Sequence, residues 1–271
     1  MNNRVSIHIS SKDRHSELMV LLQSLRYQTY QDFDLVIVDS SQTPFWGHPT
    51  IKALIVRMQM EGHGFKISGA EIEGNCQKRN QLIKIDTFNN PLIWRLDDDV
   101  FIEKDYIERL VNVIRQGNDM ASGVTPFASI PEFRRETQFV KPIINKFDFE
   151  THLLGDDCGV AYTESEIIPA HSLRSCFMFK KEILDAGIRF EEGLTNVAFR
   201  EEQFFCLRAA WKGFNKFAVD TGAIAWHLMT SSGGCRYPDY GKLVQADEYR
   251  FWTWVDRMYK KKGNPFEVKN G

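Results

Sequence analysis

Apolar positions in the first half of the chain switch between two periods. Residues 5–10 (VSIHIS) read as a strand, and Leu18, Leu21, Leu22 and Leu25 follow at helical spacing. Residues 33–38 (FDLVIV) are β-branched and apolar, and end on Asp39. A helical stretch over 49–60, a strand near 65–68 and a helix over 75–88 with Asn75 as its cap come next. Residues 91–96 (PLIWRL) form a buried strand that runs into Asp97, Asp98 and Asp99. Tyr106, Ile107, Leu110, Val111 and Ile114 then trace one helix face. This alternation predicts an α/β fold with a mainly parallel, Rossmann-like sheet flanked by helices. Ligands of such sheets lie beyond the carboxyl ends of the strands, where Asp39 and the aspartate run fall.

The second half is less regular. Residues 128–166 hold no sustained period and contain Pro131, Pro142, Gly155 and Gly159, as a functional or mobile segment does. Residues 172–180 (SLRSCFMFK) look strand-like, with a short helix ending near Gly187. A helix over 201–212 carries Phe204, Leu207 and Trp211 on one face and stops at Gly213. Strands over 216–219 and 223–227, a loop over 230–241 and a helix over 243–261 complete the reading. No repeat or interdomain linker is evident. One domain is expected, with a nucleotide half (1–127), an acceptor half (128–240) and a C-terminal helix and tail (241–271).

Composition narrows the function. Thirty-four Lys and Arg oppose 36 Asp and Glu, so the net charge of −2 disfavours stable nucleic-acid binding. The five cysteines form no CxxC pair and read as free thiols of a reducing, cytoplasmic compartment. No run approaches the ~20 apolar residues of a membrane span. The basic tail RMYKKKGNPFEVK (257–269) reads as a solvated end, with peripheral membrane contact left open.

The aspartate run carries the chemistry. On a strand, Asp97 and Asp99 would share a side and could hold a hard cation such as Mg²⁺ or Mn²⁺ with the phosphates of a ligand. The bland alternative is a solvated acidic turn.

Four segments in order strengthen the first reading. They are VSIHISSKDR with LLQSLRYQTYQDFDLVIVDSS, then GNCQKRN, then WRLDDDVFIEKDYIERL, then REEQFFCLRAAWKGF. Over about residues 4–228 the chain resembles the family-2, GT-A-fold, inverting nucleotide-sugar glycosyltransferases. The resemblance implies that Asp39 reads the nucleobase, with Ser10 or Ser11 touching it. Arg79, or its neighbour Lys78, would approach the base or diphosphate. Asp97 would meet the ribose and share the metal site; Asp98 would orient the loop or donor sugar. Asp99 would bind Mn²⁺ or Mg²⁺, with His227 completing the site. Glu202 matches the aspartate of the family's Glu-Asp pair and is the first choice for general base, with Glu201 second. Glutamate is one methylene longer there, a departure from the family. Arg174 could contact a phosphate or the acceptor. Trp46, Phe127 and Trp226 could stack on sugars, and the 230–241 loop is placed to act as a lid.

The expected reaction moves a sugar from a nucleotide-sugar donor, a UDP-sugar first, to a hydroxyl of a carbohydrate, lipid-linked or other acceptor. Two other readings stay open: a sugar-phosphate nucleotidyltransferase, although SSKDRHSE lacks that class's glycine-rich loop, and a non-catalytic binding module.

Overall fold

The computed structural model describes residues 3–126, 146–154, 165–230, 233–234 and 237–267. Phe127, Cys158, Cys235 and most of the irregular 128–166 stretch lie outside the described residues.

The first half folds as its periodicity predicts. Strands β1 (Val5–Ser11), β2 (Phe33–Asp39), β3 (Phe65–Gly69) and β4 (Leu92–Leu96) alternate with helices α1 (His15–Arg26), α2 (Pro49–Met60) and α3 (Asn75–Ile85). β1 pairs in parallel with β2 from Val5↔Phe33 to Ser11↔Asp39, and with β4 from Val5↔Leu92 to Ile9↔Leu96. Asp39 and the end of β4 therefore emerge at one edge of the sheet. α3 ends at Ile85, short of residue 88, and its cap is Gly74, not Asn75. Gly74 has φ +113°, which side-chain-bearing residues rarely adopt, and that turn places Asn75 as the first helical residue.

The second half adds β5 (Val100–Ile102), α4 (Tyr106–Arg115), β6 (Met120–Val124), the short pair β7 (Phe147–Asp148) and β8 (Leu153–Leu154), and β9 (Ile167–Ala170). It continues with β10 (Met178–Lys180), α5 (Glu182–Asp185), α6 (Glu201–Ala210), β11 (Phe217–His227) and α7 (Tyr240–Lys262). The main sheet runs β3-β2-β1-β4-β10-β6-β11-β5, with β9 also on β11. It is mixed: β10 lies antiparallel between β4 and β6, and β5 and β9 run antiparallel to β11.

The structure corrects two boundaries here and adds strands that the sequence pattern does not mark. Of residues 172–180, only Met178–Lys180 is strand, because Cys176 has φ +57° and breaks the extended run. The two strands expected over 216–227 are one, β11, with a register shift between Val219 and Ile224. β5, β6 and β9 carry no strong sequence signal: each is short, and β6 reads MASGV.

Helices cover both faces of the sheet. Val5, Ile7, Ile9, Trp94 and Leu96 pack with α1, α2 and α4 on one face. Ile93, Phe177 and Phe179 pack with Phe204, Phe205, Phe251 and Val255 of α6 and α7 on the other. Alternation along β4 thus sends Arg95, like Ile93, toward α6. Phe251 and Val255 are fully buried, so the C-terminal helix covers the core. No helix among the described residues is long and apolar enough to cross a membrane.

Candidate active site

Two cavities open at the carboxyl edge of the sheet, and Asn75 lines both. The first, about 170 Å³, is bounded by the ends of β1, β4 and β11 and by α3, and contains all three aspartates. Ser10, Ser11, Lys12, Arg14, Lys78, Arg79, His227 and Gly234 complete its lining. The second, about 240 Å³, lies over the start of α6 and is lined by Arg95, Arg174, Ser175, Arg200, Glu201, Glu202 and Tyr240, among others.

β4 ends at Leu96, so strand alternation does not extend through the aspartates, which divide between different partners. Asp98 accepts hydrogen bonds from Ser11 Oγ and Arg14 Nη1, both at 2.8 Å. Asp99 Oδ2 lies 2.9 Å from the same Arg14 Nη1, and Asp99 Oδ1 lies 3.5 Å from His227 Nε2. Burial disfavours the charge on Asp99, and although His227 and Arg14 oppose it, Asp98 adds to it; the carboxyl is pushed up to about 6. Asp97 turns the other way. Its Oδ1 lies 2.9 Å from both Arg79 Nη2 and Arg95 Nη1. Burial opposes its ionisation, yet the two arginines win and hold the carboxyl well below the usual range.

Arg95 also reaches α6. Its Nη2 lies 2.5 Å from Glu201 Oε1 and 3.0 Å from Glu202 Oε1. Both glutamates border the second cavity, Glu201 with a side chain 4% exposed and Glu202 with one 17% exposed. Burial raises the Glu202 carboxyl above its ordinary range; Arg95 opposes this, while Glu201 and Asp97 reinforce it. A carboxylate of raised basicity at a cavity wall suits proton abstraction. The loop before α6 is fixed by α7: the buried Asp247 accepts from the Thr195 and Phe199 amides and the Thr195 hydroxyl, and Arg200, at φ +70°, pairs with Glu248.

The other expected residues fall in varied places. Asp39 is buried at the end of β2 and organises the next turn: Oδ1 accepts from the Ser41 amide and hydroxyl, and Oδ2 from the Phe45 amide. Lys78 Nζ reaches Ser40 Oγ at 3.2 Å and lines the first cavity. Arg79, 4% exposed, is engaged with Asp97 and the Leu96 carbonyl. Arg174 lines the second cavity. Trp226 stacks on Phe101 and donates to Glu103, outside the linings of both cavities, and Trp46 packs edge-on to Phe45. Of the 230–241 loop, Gly234 lies over the first cavity, its amide donating to the Lys12 carbonyl.

A cation can be tested against these groups. Asp99 Oδ2 is buried and ion-paired to Arg14 at 2.9 Å, so a hard cation there would have to share or displace that guanidinium. His227 Nδ1 accepts the Met229 amide at 3.1 Å, so a neutral ring carries its proton on Nε2, toward Asp99. His227 would have to exchange that bond before Nε2 could ligate. Asp97 is committed to two arginines. Among the described residues no group of three His, Cys, Asp or Glu side chains gathers as a ligand set, so phosphate oxygens would have to supply much of the coordination.

Arg14 and Arg95 were missed from sequence, although each had a signal. Arg95 is the one charge inside LIWRL, and Arg14 follows the first strand in the loop SKDR.

The family described as "Glycosyl transferase family 2" matches residues 6–184, more than half of the chain. The chain belongs to glycosyl transferase family 2. No curated protein matches it in sequence. Among solved structures, this glycosyltransferase is similar to S. aureus TarS 1-349, with a TM-score of 0.63 and 16% identity over 97% of this chain and 70% of that one. For TarS 1-349 in complex with UDP-GlcNAc the TM-score is 0.64, again at 16% identity, over 97% of this chain and 71% of that one. Against longer TarS the match spans 90% of this chain and 39% of that one, at 16% identity and a TM-score of 0.54. These likenesses establish the GT-A-like fold.

Proposed function

We propose that this glycosyltransferase moves a sugar from a UDP-sugar to an acceptor hydroxyl in one displacement, with inversion at the anomeric carbon. The observation that carries the reading is the pair of cavities that share Asn75, with aspartates and cationic groups in one and Glu202 in the wall of the other. The donor diphosphate would lie beside Lys12, Arg14 and Lys78. The acceptor oxygen would attack from the second cavity, its proton passing to Glu202 as the bond from the anomeric carbon to the diphosphate breaks. A base on the side opposite the leaving group is what inversion requires. Mn²⁺ or Mg²⁺ held at Asp99, with His227 beside it, would neutralise charge on the departing diphosphate. The UDP assignment is supported by the UDP-GlcNAc and UDP complexes of TarS 1-349. Asp39 then acts on the base through the turn it fixes. The buried free thiols of Cys76, Cys176 and Cys206 support a reducing compartment, the cytoplasm.

The test is incubation with UDP-GlcNAc, UDP-glucose or UDP-galactose, with and without Mn²⁺, across oligosaccharide, lipid-linked and polyol acceptors. Release of UDP with a product of inverted anomeric configuration by NMR is expected. Release of pyrophosphate would instead make the protein a nucleotidyltransferase. Binding of UDP-sugar with no turnover on any acceptor would favour a binding module.

A further inference from the structure

An arginine in the middle of a buried strand needs a reason. Arg95 is 4% exposed, flanked by the buried Trp94 and Leu96, yet it extends into a cluster of three carboxylates. Its Nη1 holds Asp97, which lines the first cavity; its Nη2 holds Glu201 and Glu202, and Glu202 lines the second. The guanidinium therefore joins the two cavities from below. Its planar fork is the feature that allows this, since an ammonium is a point charge without fixed directions. Arg79 supports the cluster from α3, 2.9 Å from Asp97.

We propose that Arg95 is a positioning residue for transfer: it sets Glu202 against the acceptor and fixes it in register with Asp97 on the donor side. The inference rests on Glu202 being the base. Arg95 also borders the second cavity, and the role assigned to it is exerted through the carboxylates it holds. A general base displaced by about 1 Å loses roughly 10²-fold in rate even when binding is intact.

The experiment compares Arg95→Lys and Arg95→Met in wild-type and Glu202→Gln backgrounds, reading kcat, donor KM, UDP affinity by calorimetry and thermal melting. Arg95→Met is expected to lower kcat about 10²-fold with donor KM and UDP affinity within about threefold of wild type. Arg95→Lys keeps the charge and is expected to recover about tenfold of that loss. In the Glu202→Gln background both substitutions should cost little further, because the residue through which they act is already disabled. If Arg95→Met does not fold, Arg95→Lys carries the same comparison. The proposal is overturned if Arg95→Lys turns over as wild type, if the losses are equal in both backgrounds, or if UDP affinity falls in parallel with kcat. Full turnover by Glu202→Gln alone would instead remove the base assignment on which the proposal rests.

Discussion

Asp98 and Asp99 face the same cavity as Asp97, yet their charges are compensated in different ways. Asp98 and Asp99 share one guanidinium, that of Arg14, with His227 Nε2 3.5 Å from the other Asp99 oxygen. Asp97 and Glu201 lie between two guanidiniums, Arg79 and Arg95, and Asp97 stays ionised. The first group sets one arginine against two carboxylates at the cavity floor and suits a cation or another positive centre. The second sets two arginines among three carboxylates, Asp97, Glu201 and Glu202, and suits a rigid support. Residue type alone does not separate these roles; the count and reach of the arginines does.

The largest test of the contrast is Glu202→Gln. Loss of the base should lower kcat about 10³-fold while UDP affinity by calorimetry stays nearly unchanged. A matching loss of UDP affinity would place Glu202 in the donor site and erase the division of labour. Asp99→Asn should remove the Mn²⁺ enhancement of UDP binding and cost on the order of 10² in turnover. Equal effects from Asp97→Asn on the cation titration would mean that both groups serve the ion.

The rate profile with pH sharpens the comparison further. The proposed base, Glu202, would act only when ionised, and burial raises its carboxyl above the ordinary 4.5. The acidic limb of kcat/KM should therefore have its midpoint above that of an ordinary glutamate, with activity falling as pH drops through it. A limb near 4 would detach Glu202 from the rate. The smallest effect lies away from both clusters. Burial, with Lys146 nearby, lowers His171 from 6.5 to about 4, and its Nδ1 accepts the Phe147 amide. The unfolded chain takes up a proton first as pH falls, so stability should decline from about pH 6.5 toward 4. His171→Gln should flatten that decline in melting temperature and leave turnover at neutral pH unchanged.

Much of the first half could be read directly. β1 alternates apolar and polar residues, β2 and β4 are largely apolar, and α1 repeats leucines at three and four residues, so these elements emerge where the pattern puts them. The second half resisted because β5, β6, β9 and β10 are held by pairing with distant segments. Short strands of that kind depend on context more than on their own residues. Within the site, the structure brings Asp97, Asp99 and His227 to one cavity and Glu202 to its neighbour. The links between them were not legible. Arg95 touches Glu201 across 106 positions and Arg14 touches Asp98 across 84, and nothing local marks such a pairing.

The shared wall at Asn75 bears on fidelity. With Asn75 in the lining of both cavities the two adjoin, and any small molecule in the second stands where the proposed acceptor would. Water is always available to do so. On the proposed mechanism an empty acceptor cavity would expose the donor to hydrolysis with Glu202 as base, and the ratio of glycoside to free sugar would measure how completely an acceptor fills about 240 Å³.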